Sequence, residues 1–166
     1  MAPSTKASVI FVLCSLASAS SAFAQTVEVR GPVIASSESQ STTQLAQHFV
    51  DERLAVWRQR LKLEDWKISA VMTRKTSLAP QTLGGIHWDK RKRSAEIWVL
   101  DPADYALPFH EMLDDMELTV VHELVHLELT SLPRGQANRG AAEERAVSGL
   151  ADAMLALDRR ERQSPK

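Results

Sequence analysis

Cysteine is nearly missing from this 166-residue chain: its single copy is Cys14. That residue falls inside a stretch that reads as a removable leader, and Leu13 before it is a poor neighbour for a lipid-anchored cysteine. With no thiol elsewhere there is no disulfide staple, thiol nucleophile or thiolate ligand, so any metal site must be built from histidine and carboxylates. An excess of one charge is missing too. The 20 Lys and Arg stand against 21 Asp and Glu, a formal net charge of −1. No global field therefore steers the chain toward nucleic acid or an anionic membrane. The one basic run, Lys90-Arg91-Lys92-Arg93, lies between two alternating apolar runs and reads as a charged hairpin tip. Long apolar runs are also absent. Ala7 to Leu16 falls well short of the about 20 residues that a permanent membrane anchor needs.

The order of features in Met1 to Ala24 is that of a secretory signal: Lys6, the apolar run, then Ala22-Phe23-Ala24. Cleavage is expected after Ala24, which would place the mature chain in the periplasm or outside the cell, with no permanent membrane anchor and no nucleic-acid partner. Residues 25–43 are rich in Ser, Thr and Gln and read as a flexible leader with at most a short strand at Val27 and Val29.

From Gln44 the period becomes helical, with Leu45, Phe49, Leu54, Trp57 and Leu61 as the apolar stripe of a first helix ending near Leu63. Trp66 to Met72 alternates as a half-buried strand. Leu83 to Trp88 and Ala95 to Leu100 are two more strands, joined by the basic turn as an antiparallel hairpin. Met112 to Thr130 is a second helix, with Asp114, Asp115 and Glu117 near its positive end. Ser131 to Gly140, with Pro133 and Gly135, is a connection. Ala141 to Arg160 is a third helix with the stripe Ala146, Val147, Leu150, Met154 and Leu157. The expected fold is α+β: one domain over residues 44–160 with a small three-stranded, mainly antiparallel sheet, and a tail at 161–166.

The second helix contains Val120-Val121-His122-Glu123-Leu124-Val125-His126-Leu127. Histidines four apart lie one turn above the other, so both imidazoles can reach one ion. One zinc ion suits neutral imidazole, and a catalytic zinc site takes three protein ligands and leaves a position for water. Glu123 is offset around the helix, placed to accept the proton of that water as a general base and not to ligate. The third ligand is sought on the third helix. Counting back from Val147, Leu150, Met154 and Leu157 lands on Glu143, which is favoured; Glu144, about 100° further round, stays open.

These residues resemble the gluzincins, zinc peptidases with a His-Glu-x-x-His helix and a glutamate on a following helix. In size and element order the chain is similar to the minigluzincins and to SprT-like or ImmA/IrrE-like metallopeptidases of bacteria and phages. The similarity runs over roughly Leu45 to Leu157, its specific part being His122-Glu123-Leu124-Val125-His126, with Glu143-Glu144-Arg145-Ala146 in support. It implies a zincin-like minimal catalytic domain and a monomeric metallopeptidase. A peptide or protein substrate would add to the sheet edge as an extended strand. The chain departs from the pattern at Glu128, where an apolar residue is usual. It departs again four residues beyond the ligand glutamate, where Val147 or Ser148 stands in place of an acid or amide. Tyr105 and His110 are the candidates for stabilising an oxyanion; His48 and His87 read as surface residues, and Trp57, Trp66, Trp88 and Trp98 as core. The alternative to an enzyme is a catalytically silent binding or inhibitor protein on the same scaffold.

Overall fold

The computed structural model describes residues 35–131 and 140–164. The signal segment and the short strand expected at Val27 and Val29 lie outside them. The order is helix α1 (Ala35–Arg60), strand β1 (Lys67–Thr73), strand β2 (Gly84–Asp89), strand β3 (Ser94–Leu100), helix α2 (Phe109–Leu129) and helix α3 (Gly140–Gln163). The fold is α+β, as expected. Two boundaries differ: α1 takes in residues 35–43 of the expected leader, and α3 takes in 161–163 of the expected tail. Among the described residues no helix is long and apolar enough to cross a membrane.

The sheet is mixed, not mainly antiparallel, with order β1-β3-β2. β2 and β3 form the expected antiparallel hairpin, and β3 then returns beside β1 in parallel. Register puts three rows on the helix-covered face: Ile68, Ala95 and Trp88; Ala70, Ile97 and Ile86; Met72, Val99 and Gly84. The central strand supplies Ala95, Ile97 and Val99, all buried, because alternate residues share a face. Trp98 belongs to the opposite face, where its indole donates to Glu96 at 2.8 Å, so it is not the core residue its sequence context suggests.

The hairpin tip is built, and its charges are used. Asp89 Oδ1 accepts from the backbone N–H of Arg91 and Lys92, Arg93 pairs with Asp65, and Lys90 donates to the Thr130 carbonyl just past α2. A cation on the last carbonyls of a helix is favourable on both hydrogen-bond and dipole grounds. At the other end of β2, a Cβ on Gly84 would meet Thr119 Cγ2 at 2.4 Å and the Trp98 carbonyl oxygen at 2.5 Å. The strand is thereby pressed onto α2 one turn before Glu123.

On α1 the expected Phe49, Leu54, Trp57 and Leu61 do pack on the core, with Leu45 as the exception, while the expected face of α3 is displaced. On α1 the buried line is Ala46, Val50, Leu54 and Trp57, while Leu45 is 58% exposed. On α3 it is Val147, Ala151, Leu155 and Asp158, while Leu150 and Leu157 are exposed. Small residues at these contacts let the helices approach closely, and the larger leucines are left outside.

Asp158 ends its line as a buried acid, and its partners explain it. Arg53 of α1 donates to Glu117 Oε1 of α2 at 2.6 Å and to Asp158 Oδ2 of α3 at 2.8 Å. Trp57 Nε1 donates to the same Glu117 oxygen at 2.8 Å; Arg60 and Arg162 reach Asp158 at 2.8 and 2.7 Å. One arginine thus clasps three helices. Asp158→Ala should lower stability by about 3–5 kcal/mol, because it leaves Arg53 without one of its buried partners. Chemical denaturation monitored by circular dichroism measures this, and a loss below about 1 kcal/mol would contradict it.

Candidate metal centre

Burial along α2 is continuous from Thr119 to Leu127, so His122, Glu123 and His126 are all interior. The two imidazole Nε2 atoms converge to 3.0 Å, with ring centroids 4.8 Å apart. The four-residue spacing does this by placing both rings on one face a turn apart.

Facing them across the interhelix groove is Glu144. Its Oε2 lies 3.4 Å from His122 Nε2 and its Oε1 lies 3.3 Å from His126 Nε2. His122, His126 and Glu144 each offer one donor atom, all within 4.8 Å of one another. Among the described residues this is the group of that kind, and it could hold a metal ion. Ligand atoms about 2.0–2.1 Å from a tetrahedral ion sit about 3.3 Å from each other. The imidazole nitrogens at 3.0 Å approach that spacing, and each has a Glu144 oxygen near it, Oε2 at 3.4 Å from His122 and Oε1 at 3.3 Å from His126.

Glu144, not the favoured Glu143, therefore completes the cluster. The true stripe of α3 steps through 144, 147, 151, 155 and 158 in threes and fours. The count that gives Glu143 runs back from Val147, Leu150, Met154 and Leu157, of which Leu150 and Leu157 face solvent. Glu143 is still close: its Oε1 stands 3.6 Å from His126 Nδ1, beyond hydrogen-bond length.

The electrostatics are those of a site short of positive charge. Burial holds both imidazoles down to about 4, helped at His122 by the neighbouring His126 and opposed there by Asp152. Both rings are therefore neutral at neutral pH, the form that ligates. Burial pushes Glu123 up to about 8, and the charge of Glu144 adds to this. Burial and the charge of Glu143 raise Glu144 to about 7. Both oxygens of Glu123, His126 Nδ1 and Glu144 Oε2 are buried and have no hydrogen-bond partner among the described residues. Orphaned buried polar atoms are rare and costly, and a divalent cation at the cluster would answer the shortage.

The remaining candidates lie elsewhere. Tyr105 donates to Asp115 Oδ2 at 2.8 Å and is packed against the core, and burial raises its hydroxyl pKa. His110 is exposed beside Glu111, His48 pairs with exposed Glu52, and His87 stands on the outer sheet face opposite Glu96. None of these is brought into the cluster. Glu128 is exposed near the end of α2, so its polarity is free of the core. Comparison with known proteins finds no family model, no curated protein and no solved structure that matches this chain.

Metal affinity should rise from pH 6 to pH 8, since a cation competes with the protons on Glu144 and Glu123 while the imidazoles are already neutral. Calorimetry in buffers of different ionisation enthalpy should find more protons released at pH 6.5 than at pH 8.5. Equal release at both would mean that the carboxyls do not take part. Glu144→Ala should abolish stoichiometric binding. Glu143→Ala should weaken it only about 10–100-fold, as expected for loss of a residue that orients a ligand. The opposite ranking by metal analysis would exchange their roles.

Proposed function

We propose that the chain is a zinc-dependent metallopeptidase with a zincin-like catalytic domain, acting on peptide or protein substrates outside the cytoplasm. The observation that carries this reading is the convergence of His122, His126 and Glu144 beside a fully buried, unpartnered Glu123. Two neutral imidazoles and one carboxylate form the donor set that a hydrolytic zinc site uses, with a position left for water. Held there, the cation would supply Lewis acidity to an attacking water and to a substrate carbonyl.

The protein groups then divide the work. His122 and His126 bind through Nε2. Glu144 would supply the third donor, and Glu143, 3.6 Å from His126 Nδ1, places a carboxylate beside that ring. Glu123 stands outside the three-atom group but within reach of Glu144's charge, the placement of a base and not of a ligand. One of its carboxylate oxygens takes the proton from the attacking water and later returns it to the leaving amine. Burial raises its proton affinity in the metal-free site, and the charge of a bound cation would lower it, leaving the carboxylate form that accepts a proton.

The edge strand β2 supports a route for the substrate. It pairs only with β3 among the described strands and meets α2 at Thr119, so an extended peptide added to its free edge would pass close to Glu123. A silent binding protein on this scaffold is the competing reading. The buried cost of Glu123 favours catalysis, because binding alone needs no unpaired carboxylate beside the donors.

Glu123→Gln separates the two readings. The zinc-loaded variant should keep its metal and lose about 10²–10⁴-fold in cleavage of an unfolded protein substrate. Cleavage at the wild-type rate would remove Glu123 from the mechanism, and metal-loaded wild type that cleaves nothing would favour the silent protein.

A further inference from the structure

The groove between α2 and α3 does not stop at the metal cluster. Arg159 lies 3.5 Å from Asp114 while Glu144 faces His122 and His126, so the two helices run antiparallel. Beyond the cluster, toward the start of α2, the groove opens into a cleft of about 350 Å³. Its apolar lining includes Leu107, Leu118 and Leu155. Four carboxylates also line it, Glu111, Asp114 and Asp115 from α2 and Asp152 from α3, against the single guanidinium of Arg159. Leu118 is one turn before His122 on the same helix face, and the charge of Asp152 is felt at His122. The cleft therefore lies along the same pair of helices as the donor cluster, starting one turn from His122.

We infer that this cleft selects substrates carrying a lysine or arginine side chain near the scissile bond, with Glu111 and Asp152 as specificity-determining residues. The inference rests on the metallopeptidase reading above. The chemistry fits a long cationic side chain on both counts. The aliphatic stem lies along the leucines, and the charged head meets an excess of carboxylate. Arg159 spends its charge on Asp114, leaving Glu111 and Asp152 on opposite walls, both exposed to an incoming group. Along α2, residues 118 to 111 lie about 6–16 Å from His122. An extended peptide covers that in about two to five residues. The basic residue is therefore expected a few positions from the cleaved bond and not at it.

The test uses zinc-loaded Glu123→Gln protein, so that binding is read without turnover. Labelled peptides with one lysine or arginine are compared by fluorescence anisotropy with the same peptides carrying norleucine or citrulline. The cationic peptides should bind at least about tenfold tighter at low salt, an advantage that shrinks as salt rises. Asp152→Asn combined with Glu111→Gln should erase that advantage while leaving the affinity for the neutral peptides and the bound zinc unchanged. Equal binding of cationic and neutral peptides would overturn the inference. So would a preference that survives both substitutions. Because this readout needs no cleavage, its failure is distinct from failure of the peptidase reading, which wild-type turnover of the same peptides reports.

Discussion

The register of α3 against α2 is the constraint on which the site depends. Glu144, Val147, Ala151, Leu155 and Asp158 form one line down α3, and its last four members are the buried residues of that helix. At one end it delivers a carboxylate to two imidazoles. At the other it delivers Asp158 to the arginines of α1 and of α3 itself. A rotation of α3 by one residue, about 100°, would withdraw both carboxylates together. The charged clasp and the donor cluster are thus two readouts of one helix orientation. Asp158 is fourteen residues from Glu144, so the clasp acts on the site by fixing the axis and rotation of the helix and not by touching it.

Two buried glutamates on α2 show what separates support from chemistry. Glu117 and Glu123 are both almost wholly inaccessible, at 1% and 0% exposure. Glu117 accepts from Arg53 and Trp57, so its burial is compensated. Glu123 accepts from nothing, and both of its oxygens are orphaned. A fold that satisfies one acid so fully six residues from the other has no general shortage of donors in its core. The shortage is local, and it coincides with two imidazoles whose lone pairs converge. Unpaired buried groups persist where their cost is offset by something that binds them.

Much of this was legible in the sequence, and what was not has physical causes. The elements and their order follow from period and turn residues, and His122, Glu123 and His126 follow from spacing on one helix. The errors arise where size was taken as the mark of burial. Leu45 outweighed Ala46 and Val50 on α1, and Leu150 and Leu157 outweighed Ala151 and Asp158 on α3. Close helix contacts select small residues, and a paired acid is as good a core residue as a leucine once its donors are counted. The wrong stripe on α3 then gave Glu143 for Glu144. The signal available was the run of threes and fours from 144 to 158, together with arginines at 53, 60 and 162 needing buried acids. The parallel pairing of β1 with β3 left no local trace, because it depends on where a whole hairpin docks. The helical residues 35–43 escaped because their polar composition carries no apolar helical period.

The ends of the two helices bear on why a cation site sits here and not elsewhere in the groove. His126 is in the last turn of α2, where the free carbonyls carry partial negative charge and favour a cation. Glu143 and Glu144 are near the start of α3, where free N–H groups favour a carboxylate. Antiparallel packing brings these opposite ends together, so each ligand type stands in the field that suits its role. Lys90, bound to the Thr130 carbonyl, neutralises part of the same negative end from outside. The opposite end of the groove has neither arrangement: α2 begins there with a positive field and four carboxylates beneath it. That pairing suits the carboxylates themselves. Glu111, Asp114 and Asp152 are exposed, and on the reading above they would attract a mobile cationic group. One helix pair thus carries at one end a group that could hold a metal ion and at the other, on the reading proposed above, carboxylates that would meet a charged side chain.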